Sequence, residues 1–389
     1  MDAHVFPNEA AYAQQLREAQ HRFAPVPLMD ELKQKAKAEG LWNLFVPEEF
    51  SQYCNHGGLS NVDYAPLAEL TGRVLWSPEV FNCNAPDTGN MEVFMKYATQ
   101  AQQDRWLTPL LNGDIRSSYA MTEPQVASSD ATNIELRITR DGDQLILNGR
   151  KWFITGAMYE RTQIFIVMGK SDPDNPNRHK QQTQVLVPRD TPGIEFIRPL
   201  TTLGYDDAPL GHAEMAFNNV RVPVENVLLG EGRGFEIAQG RLGPGRMHHC
   251  MRLVGAAQRA LELACQRVVS RRTFGRPLSK HQSVREDIAK SFSEIEMARL
   301  LVQKTCEKMD AVGAQAARDM IAASKTSVPI MVQTILDRCM QMHGAGGLTE
   351  DYFMAEAFNY ARYCRQADGP DQVHQMALGK QIIDRYASS

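Results

Sequence analysis

The stretch "RYCRQADGPDQVH", residues 362–374, follows a long helix-forming region near the end of the chain. It sets Asp368 between a small residue and a Gly-Pro pair, with Asp371 and His374 close behind. Two readings of Asp368 compete. An Asp ahead of "GPDQVHQMALGKQII" is a favoured N-cap, because its carboxylate can accept from the first free N–H groups of a helix. Asp371 offers the same service. A carboxylate presented from a Gly-Pro turn can also serve as a general base. The regions on either side decide between the two.

At 389 residues the chain is long enough for two or three layers of core. A hydrophobic fraction of 43% and a charged fraction of 23% are ordinary for a globular protein. The net charge of -4 lacks the basic excess that a nucleic-acid partner favours. No apolar run approaches about 20 residues, so no membrane span is expected. "MDAHVFPNEA" has neither the basic nor the apolar segment of a secretory signal, and "YASS" is not a peroxisomal address. The 7 cysteines form no C-x-x-C pair and read as reduced thiols of a cytoplasmic compartment.

Three regions follow one another. Residues 1–118 read as helical: "LMDELKQKAKAEGLW" has helix formers and then Gly40 at a stop, and "GNMEVFMKYATQAQQDRWLTPLLNG" repeats the pattern. Between them "GLWNLFVPEEF" reads as an extended or looped insert. Residues 119–230 change period. "ELRITR", "QLILNGRKWFIT", "QIFIVMGK", "TQVLVP", "IEFIRPL" and "HAEMAFNNVRVP" are short runs separated by turn residues, which predicts an antiparallel barrel or sandwich. "SDPDNPNRHKQQ" reads as an exposed hairpin loop. Residues 231–389 are helical again. Leu253, Ala257, Ala260 and Ala264 fall on one helix face, and small residues there suit a four-helix type of bundle. The expected class is therefore a multidomain α+β protein.

Several motifs carry chemistry. "YAMTEPQVASSDATN", residues 119–133, supplies the hydroxyls of Thr122, Ser128 and Ser129, which suit a flavin edge and a pyrophosphate as well as a polar loop with an N-cap. "GRKWFITG" places two aromatics beside Thr155; an aromatic can stack on a planar cofactor or fill a core. "SRRTFGRPLSKHQ" is a basic, partly aromatic turn between helices, fit for a pyrophosphate or for solvent. "GEGRGF" follows no buried strand of a βαβ unit, so a Rossmann reading is rejected. "MHH" and "MHGAGG" lack metal-ligand spacing; a structural role is expected for their histidines and no metal for the chain.

The order and spacing of "AMTEP…SSD", "RRTFGRPLSKHQ" and "QMHGAGG" resemble the acyl-CoA dehydrogenase family along essentially the whole chain. "CNAPDTGNMEVF", "GPGRMHHCMR" and "ADGP" look most like the subgroup that in animals is fused to phosphotransferase-like domains. The resemblance implies the acyl-CoA dehydrogenase fold and FAD as cofactor. It implies that Tyr119 through Ser129 hold the flavin, with Met121 and Thr122 near the pyrimidine edge and Ser128 or Ser129 near the pyrophosphate. The loop is one residue longer than the commoner "EPGAGSD". The family's "WIT" corresponds to "FIT" here, which puts Phe153 on the flavin face and Thr155 near N5. Arg271, Thr273, Phe274, His281 and Gln282, with Gln341 through Ala345 (Gly344 and Ala345 included), would contact the FAD of a neighbouring subunit. A dimer or a tetramer follows from that. Arg246 matches an arginine near the acyl-CoA; the Asp usual three residues before it is Gly243 here. Ser129 and Gly369 are further candidate substrate contacts.

In most of the family the last motif reads "YEGT", with Glu as base. Aligned on the glycine, "ADGP" puts Asp368 in that place, followed by Pro370 and Gln372 beside the flavin. The implied reaction is α,β-desaturation of an acyl-CoA thioester, as in fatty-acid β-oxidation, with electrons passed to an electron-transfer flavoprotein. Asp is one methylene shorter than Glu, a loss of roughly 1.5 Å of reach. Two relatives on the same fold give alternative readings: a nitroalkane-type flavin oxidase, where an Asp base also occurs, and a flavin-bearing DNA-binding protein. "FNCNAPDTGNM", residues 81–91, is the candidate lining of the acyl pocket.

Overall fold

A computed structural model describes residues 1–387, which divide into two compact units. The sheet unit comprises Asp2–Gly58 and Glu79–Leu242; the helical unit comprises Leu59–Pro78 and the chain from Gly243 onward, with Met1.

The sheet unit begins with helices α1 (Glu9–Glu18) and α2 (Pro27–Ala38). Pro27 sits in the first turn of α2, where its missing N–H costs nothing. Leu28, Leu32 and Ala36 repeat at helical spacing and are buried. The helix ends ahead of Gly40, which takes a left-handed φ of 72°, as its sequence implied. "GLWNLFVPEEF" is a loop running into a short 3₁₀ turn. In the helical unit α3 (Asn61–Gly72) is capped by Ser60, whose hydroxyl accepts from Asp63 N. Back in the sheet unit, α4 (Asp87–Tyr97) precedes α5 (Gln100–Gln102), whose Thr99–Gln102 capping box starts the next turns, and α6 (Thr108–Asn112).

The strands are β1 (Arg116–Ala120), β2 (Arg137–Asp141), β3 (Gln144–Thr155), β4 (Thr162–Lys170), β5 (Gln182–Pro188), β6 (Ile194–Leu200) and β7 (His212–Pro223). They form one seven-stranded sheet in the order β1-β4-β2-β3-β7-β6, with β5 also on β4. Most pairs are antiparallel, as the short runs implied. β1 and β4, and a single register pair of β2 and β4, run parallel, a long-range pairing that local periodicity does not reveal. One face packs a core that includes Leu136, Leu147, Ile154, Phe165, Val185 and Phe217. "SDPDNPNRHKQQ" joins β4 to β5 as a hairpin connection. A buried charge network ties α2 and α4 to β1: Arg116 pairs with Glu79 and Asp87, Lys33 pairs with Glu79, and Asp87 Oδ1 accepts from Ser117 N at 2.7 Å.

The helical unit is built on three long helices, α7 (Gly234–Ser270, its residues up to Leu242 counted with the sheet unit), α8 (Gln282–Ala316) and α9 (Arg318–His343). The shorter α10 (Met354–Tyr363) and α11 (Asp371–Ala387) pack on α9. Leu253, Ala257, Ala260 and Ala264 are fully buried, as their spacing implied. α3 and α7 approach backbone to backbone. A Cβ at Gly255 would lie 1.9 Å from the Glu69 carbonyl oxygen, and one at Gly72 2.0 Å from that of Arg252. Only glycine permits this crossing.

Candidate active site

In the helical unit, residues 364–370 connect α10 to α11 through two successive left-handed residues, Asp368 at φ 55° and Gly369 at φ 99°. For a non-glycine residue such a φ is uncommon, though Asp is among those that tolerate it. Three contacts hold the turn. Asp371 N donates to the Arg365 carbonyl at 3.2 Å, Arg365 Nε donates to Asp371 Oδ2 at 2.8 Å, and the Arg365 guanidinium also reaches Gln333 Oε1 of α9 at 3.0 Å. The Asp368 carbonyl accepts twice, from Arg246 Nε at 3.0 Å and from His374 Nε2 at 3.1 Å. Burial, reinforced by the Arg246 charge, holds His374 down at about 4, so at neutral pH it is an uncharged donor.

The capping reading of Asp368 meets a positional obstacle. α11 begins at Asp371, and Val373 N donates to the Pro370 carbonyl at 3.0 Å, so the N-cap place belongs to Pro370. Asp371 is itself inside the helix and is spent on Arg365. The Asp368 carboxylate instead faces His249 of α7, with Oδ2 3.8 Å from Nε2. His249 Nδ1 lies 2.8 Å from the Tyr360 hydroxyl. The structure separates the two histidines that the sequence treated alike. His248 is buried edge-on against Tyr64, with centroids 5.0 Å apart, while His249 joins the Asp368 surroundings. The three-residue spacing of Arg246 and His249 on one helix was the available signal, since it puts both side chains on one face.

In the sheet unit the loop after β1 is clamped by buried Lys151, whose Nζ donates to the Met121 carbonyl and to Glu123 Oε1, both at 2.7 Å. Glu123 in turn accepts from Glu135 N and Leu136 N at 2.7 and 2.8 Å. Neither residue was singled out from sequence. Thr122 Oγ1 donates to the Trp152 carbonyl at 2.6 Å, and Trp152 N to the Thr122 carbonyl at 3.0 Å. Ser128 is turned inward: its hydroxyl accepts from Glu123 N at 2.9 Å and donates to the Glu123 carbonyl at 3.3 Å. Ser129 is exposed. Tyr119 lies under the Arg241 guanidinium, 4.1 Å from the ring centroid, and its hydroxyl accepts from Gln184 at 2.7 Å, so it serves the packing of β1.

A bulge between Lys151 and Ile154 turns Phe153 to φ 51° and leaves it 43% exposed, edge-on to Trp152. Thr155 Oγ1 lies 3.0 Å from His212 Nδ1, and His212 Nε2 lies 3.3 Å from Asp207 Oδ2. With the ring proton on Nε2 toward Asp207, Nδ1 accepts from Thr155. The Thr155 oxygen keeps its remaining acceptor capacity for a ligand. Elsewhere in this unit, the hairpin segment 171–180 and the "GEGRGF" segment line a common cavity of ≈ 530 Å³.

The last group of candidate residues lies at one end of the helical unit. β8 (Arg272–Thr273) and β9 (Arg276–Pro277) form a small hairpin between α7 and α8, with Phe274 94% exposed at its tip and His281 at the start of α8. Arg267 donates to the His343 carbonyl at 3.3 Å, which brings "QMHGAG" to the same end. Arg271, Gln282, Gln341, Gly344 and Ala345 are exposed there. Pro370 and Gln372 stay with the Asp368 turn.

The chain thus runs helix, sheet and helix. Residues 4–114, 118–220 and 232–383 match, respectively, the families described as acyl-CoA dehydrogenase N-terminal, middle and C-terminal domain. The chain belongs to the acyl-CoA dehydrogenase family. It is 54% identical over 360 residues to acyl-CoA dehydrogenase family member 10 of Mus musculus, covering 92% of this chain and 34% of that protein. It spans about half the length of several other curated relatives. A solved Mycobacterium abscessus structure superposes with a TM-score of 0.94 at 46% identity, covering 99% and 95% of the two chains. Butyryl-CoA dehydrogenase of Megasphaera elsdenii superposes with a TM-score of 0.80 at 26% identity, covering 98% and 96%. No helix among the described residues is long and apolar enough to cross a membrane.

Proposed function

We propose that this chain is an FAD-dependent acyl-CoA dehydrogenase in which Asp368 removes the α-proton of an acyl-CoA thioester. The observation that carries the reading is the Asp368 turn: a left-handed carboxylate residue, held through its carbonyl by Arg246 and His374, outside the cap position of the following helix. A residue in such a conformation costs on the order of 1–3 kcal/mol, and such costs cluster at functional sites.

The sheet unit fits a flavin. Phe153 offers an outward aromatic face for a planar ring, Thr155 an acceptor oxygen, and Met121 and Thr122 a clamped loop edge. Of the two candidate phosphate hydroxyls, Ser129 is the better placed, because Ser128 is committed to Glu123. Bound FAD supplies the acceptor for the hydride that leaves Cβ. The chain's own part is to hold the thioester and move a proton. The Asp368 carboxylate takes the proton from Cα, and the Asp368 N–H donates to the thioester oxygen as charge develops there. Gly369 and Arg246 keep that carboxylate and N–H in place. The group of Arg271, Thr273, Phe274, His281, Gln282, Gln341, Gly344 and Ala345 serves the FAD of a second subunit, in a dimer or tetramer. The electron acceptor is an electron-transfer flavoprotein.

The test is anaerobic titration of the purified yellow protein with butyryl-, isobutyryl-, octanoyl- and palmitoyl-CoA, and separately with nitroethane. Bleaching of the flavin by at least one thioester supports the reading. Bleaching by nitroethane alone, with rapid recovery in air, replaces it with the oxidase reading.

A further inference from the structure

We propose that His249 is a positioning residue for Asp368, presenting a permanent Nε2–H to its carboxylate. The inference rests on the reading of Asp368 as the base and adds a residue to which the sequence assigned only a structural role.

Nδ1 of His249 lies 2.8 Å from the Tyr360 hydroxyl, 3.4 Å from the Arg252 guanidinium and 3.9 Å from the Cys364 thiol. A guanidinium has N–H donors and no acceptor. Burial pushes the Tyr360 phenol well above its ordinary value and the Cys364 thiol up to about 12, so both keep their protons at neutral pH. The Arg252 contact therefore makes Nδ1 the acceptor, and the Tyr360 hydroxyl and Cys364 thiol each keep a proton that they can direct at it. The ring proton is left on Nε2, the nitrogen that faces Asp368 Oδ2 at 3.8 Å. That separation exceeds a hydrogen bond. Catalytic hydrogen bonds are commonly loose in ligand-free sites and tighten in the loaded complex.

Cationic neighbours oppose a second proton on the ring, and the Asp368 carboxylate facing Nε2 favours one; Nε2 carries its proton in either state. Arg252 and Arg246 of α7 and Lys325 of α9, whose Nζ donates to the Cys364 carbonyl, are cationic, and His374 of α11 is held neutral. His249 thus acts as a donor from Nε2. It favours the ionised, proton-accepting form of Asp368 and fixes its direction. The α-proton passes to Asp368 and stays there; His249 gains and loses none.

The geometry separates two substitutions. Glutamine carries an N–H near the place of Nε2. Asparagine keeps an oxygen near the place of Nδ1, for Tyr360 and Arg252, and has nothing at Nε2. Wild type, His249→Gln, His249→Asn and Asp368→Asn, all FAD-loaded, are mixed in single turnover with the panel thioester that bleaches the wild-type flavin fastest, from pH 5 to 9. We expect His249→Asn to slow flavin reduction about 10- to 100-fold at saturating thioester, to leave half-saturation unchanged, and to move the pH midpoint of the rate upward. His249→Gln should keep most of the rate and the wild-type midpoint. A His249→Asn profile that matches wild type, or a His249→Gln profile as impaired as that of His249→Asn, overturns the inference while leaving Asp368 as base. If His249→Asn does not fold, His249→Gln decides by its midpoint: a wild-type value supports the inference and an upward shift overturns it. Near-normal reduction by Asp368→Asn overturns the base assignment itself, whatever the His249 variants do.

Discussion

Arg246 donates from Nε to the carbonyl of Asp368 across 3.0 Å, so the proposed base is held through its backbone. Lysine cannot reproduce this contact, because it offers a mobile point charge in place of a fixed planar fork. Arg246→Lys should retain FAD, as judged by its visible spectrum, and reduce it about 10- to 100-fold more slowly with thioester. A normal rate would show that the carbonyl contact does not position the base.

Gly369 takes φ 99°, and a Cβ there would stand 2.9 Å from His374 Nε2, the other donor to the same carbonyl. Gly369→Ala should cost about 1–3 kcal/mol from the left-handed conformation alone, lower the melting temperature and disturb the Asp368 turn. Differential scanning calorimetry and thioester reduction on one preparation check both effects.

Much of this was legible in the sequence because local patterns report local physics. The α2 stop at Gly40, the buried face of Leu253 through Ala264 and the short β runs follow from residue periodicity and turn chemistry. The charge network of Arg116, Glu79, Asp87 and Lys33 was not legible, because its members come from elements brought together only by the fold. The same holds for Lys151 with Glu123, and for His212 with Thr155 and Asp207. His249 was half legible: its spacing from Arg246 put it on the right face, but only the structure shows Tyr360 and Arg252 beside its Nδ1. Asp371, read from sequence as a second possible cap, is instead the buried partner of Arg365.

That pairing changes the expectation for Asp371. Its carboxylate is 5% exposed and bonded to Arg365 Nε at 2.8 Å. Asp371→Asn should destabilise the helical unit by about 1–3 kcal/mol, because it leaves Arg365 without its charged partner. The rate of thioester reduction by the folded fraction should change far less. Urea unfolding beside single-turnover kinetics separates the two.

Acid should weaken the protein through its buried histidines. Burial, with help from Arg252, holds His248 down at about 3, against an ordinary value of 6.5. Between those values the unfolded chain binds a proton that the folded chain refuses. Stability conferred by neutral His248 is therefore complete above about pH 6.5 and is lost as pH falls toward 3, by about 1.4 kcal/mol per pH unit. His374 acts in the same direction. His248→Phe should unfold with a flatter dependence between pH 4.5 and 7 than wild type. Parallel curves would show that another group governs the acid limb.

The central claim is that Asp368 accepts the α-proton. Asp368→Glu bears on how the turn is built: if the site is fitted to the shorter acid, the added methylene should lower activity, and if the backbone sits as for a Glu, activity should hold or rise. The most direct measurement is single-turnover flavin reduction by Asp368→Asn, with FAD content and acyl-CoA binding shown to match wild type. The amide is nearly isosteric and cannot take the proton, so the rate should fall by at least ~10²–10⁴-fold. Near-normal reduction by Asp368→Asn, together with its abolition in a folded, FAD-loaded Asp371→Asn, would contradict the account and place the base three residues further along the chain.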